Sequence, residues 1–138
     1  MTRAVTIRID GRPPTPNARR HWRVTALDND TWKGAARVVA LASLPPDWTP
    51  LERCVAEVTF IVGTKARRDL DNLIASSKPL TDGIVAAGVI RDDSLDVLTS
   101  VTYAAEYRKG ESATVYTITE ALSVEAERAR AAVRRDAA

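Results

Sequence analysis

Six of the seven prolines fall in two short stretches, GRPPTPN at 11–17 and PPDWTP at 45–50. Proline fixes its own φ, lacks an N–H and pushes the preceding residue away from helix, so neither stretch can lie inside a helix or a central strand. The chain is thereby cut into an opening strand, a helix between the breaks, and a longer mixed region behind them. Upstream, AVTIRIDG alternates apolar and polar residues and ends in Asp-Gly, which predicts a strand over Val5–Ile9. GRPPTPNARRHW is then a loop carrying Arg12, Arg19, Arg20, His21 and Trp22. From Asp30 as an N-cap, TWKGAARVVALASL places Trp32, Ala35, Ala36, Val39, Ala40 and Ser43 on one helical face, and the second break ends that helix.

Behind the breaks, RCVAEVTFIV at 53–62 alternates as a strand, with Ala56, Val58, Phe60 and Val62 on one face and Glu57, Thr59 and Ile61 on the other. It leads through GTKARR into RRDLDN. If 69–71 continue extended, Asp69 and Asp71 share a face. SSKPLTDGIVAAG predicts a short helix, with Ser77 as N-cap, Pro79 in the first turn, Gly88 past the end and a buried stripe of Leu80, Ile84 and Ala87. Residues 97–106 and 112–119 alternate around YRKGES and predict a β-hairpin; the tail from Ser123 carries acids early and arginines late, as a helix favours. The expected class is α+β: one domain over 1–120, a mixed sheet of about four to five strands packed on two helices, and a C-terminal helical tail over 121–138.

The chain of 138 residues is long enough for one self-supporting core. A single Cys54 excludes an internal disulfide and a cysteine zinc cluster, and itself reads as core packing. No apolar run approaches a membrane span and the N-terminus has no signal-peptide pattern, so a reducing, cytoplasmic setting is expected. The net charge of +2 hides a polarised layout. Residues 1–39 hold 8 Lys and Arg against 3 Asp and Glu, a balance of +5, whereas 69–110 hold 4 against 7, a balance of −3. That layout suits a polyanion-binding surface around a carboxylate site, with Arg12, Arg19, Arg20, Arg23, Lys65, Arg67 and Arg68 as candidate phosphate contacts.

Two neighbouring carboxylates repel unless a cation, a proton or water offsets their charge. Asp69, Asp71, Asp82, Asp92 and Asp93 come from three separate segments, so only tertiary folding can gather them. Hard ions such as Mg2+ and Mn2+ take such oxygen donors and keep positions open for water and phosphate. A loop-type calcium pattern fails, because Ile74 stands where a glycine is required. Each fragment alone also reads as ordinary turn capping, Lys78 as a solvated helix start, and His21 as a loop or phosphate contact.

The order RRDLDN, Lys78, Asp82, AAGVIRDD, after the opening GRPPTPN, resembles the RusA-type Holliday junction resolvases over roughly residues 5–119. Lys78 precedes Asp82 by four residues, and Gly88 leads into Asp92-Asp93. The resemblance implies that Asp69, Asp71 and Asp93 hold a catalytic Mg2+, for which Mn2+ substitutes. It implies that Lys78 assists, and that Asp82 and Asp92 lie nearby or ligate occasionally. It further implies a homodimer that resolves four-way DNA junctions by paired nicking in recombination and repair, with no small-molecule cofactor and no membrane partner. Other branched DNA or RNA is an alternative substrate, and a non-catalytic DNA-binding phage module of the same fold is an alternative role.

Overall fold

The computed structural model describes residues 2–14, 22–121, 128 and 132–136, with the side chains of 22–25 outside the description. Its elements are β1 (Ala4–Asp10), α1 (Trp22–Ser43), β2 (Cys54–Val62), α2 (Leu70–Ser76), α3 (Lys78–Ala86), β3 (Leu98–Tyr107) and β4 (Ala113–Glu120). The four strands form one mixed sheet in the order β1-β4-β2-β3, in which β2 runs parallel to β3 and antiparallel to β4. The fold is α+β, and residue 128 and residues 132–136 are helical. No helix among the described residues is long and apolar enough to cross a membrane.

Alternation decides which face of the sheet is buried. Val5, Ile7 and Ile9 of β1, Ala56, Val58 and Phe60 of β2, and Tyr116 and Ile118 of β4 are all buried. They meet Ala36 and Ala40 of α1 and Leu80 and Ile84 of α3 in one apolar cluster. Gly83 permits the close helix packing. A Cβ there would stand 2.4 Å from the Lys33 carbonyl oxygen and 2.7 Å from the Ala36 Cβ, so α1 and α3 meet at near-backbone contact.

Several local expectations are corrected. The helix between the proline breaks begins at Trp22, not Asp30, because nothing in WRVTALDN interrupts it once the prolines are passed; Asp30 lies inside α1. On the expected helical face Ala35 is exposed, and Ala36 and Ala40 are the buried pair. Residues 69–71 are not a strand. Asp69 is extended (φ −97°, ψ 133°) but is the N-cap of α2, a helix the apolar-polar pattern did not predict, and Asp71 lies in its first turn. Ser77 is itself helical (φ −81°, ψ −8°) because α2 runs into α3 with only this residue between, and its hydroxyl donates to the Ile74 carbonyl at 2.7 Å rather than capping α3.

Nor do β3 and β4 form a hairpin; β2 lies between them. The connection crosses the end of β2, where Arg108 N–H donates to the Val62 carbonyl at 3.0 Å and Gly110 N–H to the Gly63 carbonyl at 3.2 Å. Gly63 makes the crossing possible, since a Cβ there would stand 2.5 Å from the Glu111 carbonyl oxygen. Alternation identifies both segments as strands but carries no information about which strand each one neighbours.

Candidate functional site

The candidate residues fall into two groups, one where β2 ends and α2 begins, the other at the start of α3. After Gly63, the loop 64–68 is closed by Arg68, whose guanidinium donates to the Thr64 carbonyl and the Ala66 carbonyl at 3.1 Å each and to Thr64 Oγ1 at 2.8 Å. Arg68 is thus oriented before any ligand arrives. Arg12 reaches the same place from the opening loop, where Gly11 takes a left-handed φ of +78° and Pro13 is fully buried. Arg12, Arg67, Arg68, Asp69, Asn72 and Leu73 line a groove of about 360 Å3. Burial, and next the like charge of Arg68, hold the Arg12 guanidinium pKa below its ordinary value. An anion between the two guanidiniums would relieve both effects.

At the other end of α2, Lys78 extends from the first turn of α3. Its ammonium donates to Asp93 Oδ2 at 2.6 Å and lies 3.0 Å from Asp82 Oδ1, one turn along α3. Hydrogen bonding to Asp93, then to Asp82, raises the Lys78 pKa well above its ordinary value. The Asp93 carboxyl is lowered chiefly by the same contact with Lys78. Lys78 is therefore a fixed cation and not a general base.

The turn that presents Asp93 is itself well held. Ser94 Oγ donates to Asp96 Oδ1 at 2.6 Å, the backbone N–H groups of Val97 and Leu98 donate to the Ser94 carbonyl, and Arg91 pairs with Glu52 at 2.8 Å and Asp96 at 3.2 Å. Below Lys78, Tyr116 of β4 places its hydroxyl 3.0 Å from Thr81 Oγ1 and donates to the Ser77 carbonyl at 3.4 Å. Burial pushes the Tyr116 pKa up to about 12, so the phenol stays protonated and tethers the start of α3 to the sheet. Sequence reading missed Tyr116 as a positioning residue. Its inward-facing place in β4 is its only signal, and that signal equally fits plain core packing.

The structure brings together Lys78, Asp82 and Asp93. Asp92 is exposed beside Asp93, and Asp69 and Asp71 are exposed at the start of α2. Among the described residues no ion pair links Asp69 or Asp71 to the lysine cluster, and no group of three or more Asp, Glu, His or Cys side chains is placed to hold a metal ion. Lys65 lies 5.2 Å from the centroid of the Tyr107 ring, at the far end of β3. Arg19, Arg20 and His21 lie outside the described residues, as does the side chain of Arg23. No family model and no curated protein matches the chain.

Proposed function

We propose that this chain is a divalent-metal-dependent endodeoxyribonuclease of the RusA resolvase type that nicks four-way DNA junctions. The observation that carries the reading is the convergence of Asp82 and Asp93, from a helix and a distant turn, on the ammonium of Lys78. Asp82 and Asp93 meet at one cation, and at the opposite end of α2 a groove presents guanidiniums that suit a phosphate. The donor set is carboxylate oxygen throughout, which fits a hard ion such as Mg2+ or Mn2+. Asp69, Asp71 and Asp93 would hold it, with Asp82 and Asp92 alongside.

When bound, the ion supplies a water of lowered pKa and neutralises charge on the phosphoryl oxygens. The protein's own part is positioning and charge. Lys78, protonated at any working pH and held in place by Asp82 and Asp93, offsets negative charge developing on the phosphate oxygens. Arg12 and Arg68 hold an adjacent phosphate and so set the strand's register without reading its bases.

The test is cleavage of an end-labelled four-way junction with Mg2+ or EDTA, alongside a fork, a flap, a linear duplex and RNA. Paired nicks on the junction that need Mg2+ and disappear in Asp71→Asn support the reading. Asp71 is exposed, so this substitution leaves the core untouched. Cleavage by Asp71→Asn at near wild-type rate refutes the assigned metal site, and faster cleavage of a fork or RNA changes the substrate.

A further inference from the structure

Arg12 lines two grooves at once. One is the groove it shares with Arg67, Arg68 and Asn72; the other is an open groove of about 440 Å3, shared with Gly11, Pro13, Pro14, Trp32 and Ser112. The two are contiguous through this one residue. Sites for small ligands span roughly 300–1,000 Å3, so the second groove has room for a base and its sugar. Together the grooves are lined by three arginines and a single aspartate, Asp69, which leaves them positive.

The second groove is built before any ligand arrives. Gly11 N–H donates to the Ser112 carbonyl at 2.7 Å, and the Gly11 carbonyl accepts from Thr114 Oγ1 at 3.2 Å, so the residue before Arg12 is fixed on both sides. Its φ of +78° and the neighbouring indole both call for glycine, since a Cβ there would stand 3.0 Å from the tip of the Trp32 ring. Trp32 is half-buried: it packs against the core and also lines the groove. Pro13 is fully buried and anchors the loop, while Pro14 beside it is exposed.

A ligand that joins an anion to a flat apolar group matches this pairing of guanidinium and indole. We propose that Arg12 and Trp32 form a subsite for one unpaired nucleotide, its phosphate on the guanidinium and its base on the indole. Stacking on an aromatic side chain accepts any base, because every base has a π-face. A base inside a duplex has both faces covered by its neighbours. The subsite therefore selects strands with unpaired bases without selecting a sequence, a preference that phosphate contacts alone do not carry. The inference rests on the nuclease reading for its ligand and narrows it: the strand led past Arg68 has at least one base out of its pair.

The experiment is fluorescence anisotropy on the full chain in EDTA, with a dye-labelled single-stranded oligothymidylate, an abasic phosphodiester strand of equal length, and the four-way junction. Wild type is expected to bind the thymidylate about 10-fold more tightly than the abasic strand, the scale of one base stacked on an aromatic ring. Trp32→Leu keeps apolar bulk against the core but offers no flat face. Both strands should then bind equally, with a circular dichroism spectrum like that of wild type. Arg12→Ala should weaken both alike. A second measurement leaves the indole in place: with Trp22→Phe and Trp48→Phe, Trp32 is the sole tryptophan, and thymidylate should quench its emission where the abasic strand does not. Equal binding of the two strands by wild type, a folded Trp32→Leu that still prefers thymidylate, or unquenched Trp32 emission overturns the subsite and leaves the nuclease reading standing. A wild type that binds neither strand nor the junction overturns both.

Discussion

Lys78 and Asp93 stand 15 residues apart in the chain and meet at 2.6 Å, ammonium to carboxylate. The pair is part-exposed, with 62% of the lysine side chain and 33% of the aspartate open to solvent, so water screens most of its contribution to stability. On the proposed function its electrostatic role at a phosphate is the larger one. Lys78→Met should slow junction cleavage by about 100-fold, the scale on which a fixed oxyanion donor acts. Its effect on stability should be small and pH-dependent. The Asp93 carboxyl is held below its ordinary 3.8, so its contribution is present above that value and disappears as pH falls through the lower folded value. Lys78 is raised above its ordinary 10.5, so its contribution is complete below that value and is lost only as pH climbs through the folded value. Thermal melts should therefore show a wild-type advantage that is flat between about pH 5 and 9 and shrinks at both extremes. An advantage that stays constant down to about pH 2 would exclude the ion pair as its source.

Gly83 follows Asp82 and sets how closely α3 approaches α1. Gly83→Ala normally favours a helix by up to about 1 kcal/mol. Here the added methyl would sit 2.4 Å from the Lys33 carbonyl oxygen, so backbone must move. Overpacking of this kind costs about 1–3 kcal/mol and should outweigh the propensity gain. Differential scanning calorimetry should record a Tm lowered by several degrees; an unchanged or raised Tm would mean that the helices separate without cost.

Tyr116→Phe removes a hydroxyl and little else. Thr81 Oγ1 and the Ser77 carbonyl lose a partner at 3.0 and 3.4 Å, beneath the residue that carries Lys78. The expected loss is about 1 kcal/mol, seen as a lower urea midpoint with an unchanged slope. Because the tether positions Lys78, cleavage should slow by more than Mg2+ affinity weakens. Equal losses in both would assign Tyr116 to the core alone.

The legible part of this fold is local. Val5–Ile9, residues 53–62 and the Leu80–Ile84 stripe are evident because burial imposes periods of 2 and 3.6 on the chain. The proline pairs likewise mark where α1 must end. What remained hidden depends on neighbours far away in sequence. Whether β4 lies beside β3 or across β2 turns on Gly63 yielding space to Glu111, and a glycine after a strand looks the same in either case. The short helix α2 is not legible in the sequence, because RRDLDNLIASS has too few turns to show a clear apolar stripe. At the site, the spacing from Lys78 to Asp82 is a helical turn and was readable. The approach of Asp93 was expected only from family resemblance, since it depends on how Ser94, Asp96 and Arg91 shape the turn before β3.

The groove holding Arg12 gives a prediction that separates charge from shape. Arg68 is pinned to Thr64 and Ala66, so removing it would loosen the loop as well as subtract a charge. Arg12 makes no carboxylate ion pair among the described residues and is the cleaner probe. If it contacts one phosphate, Arg12→Ala should lower the slope of log affinity against log salt by about 0.9, with similar losses on junction and duplex. Arg12→Lys should restore most of that slope, because the charge returns, yet not the full affinity, because an ammonium cannot match the planar two-donor fork of a guanidinium. Fluorescence anisotropy in EDTA, over a series of salt concentrations, measures this without any cleavage. An unchanged slope in Arg12→Ala would place the DNA backbone elsewhere on the surface.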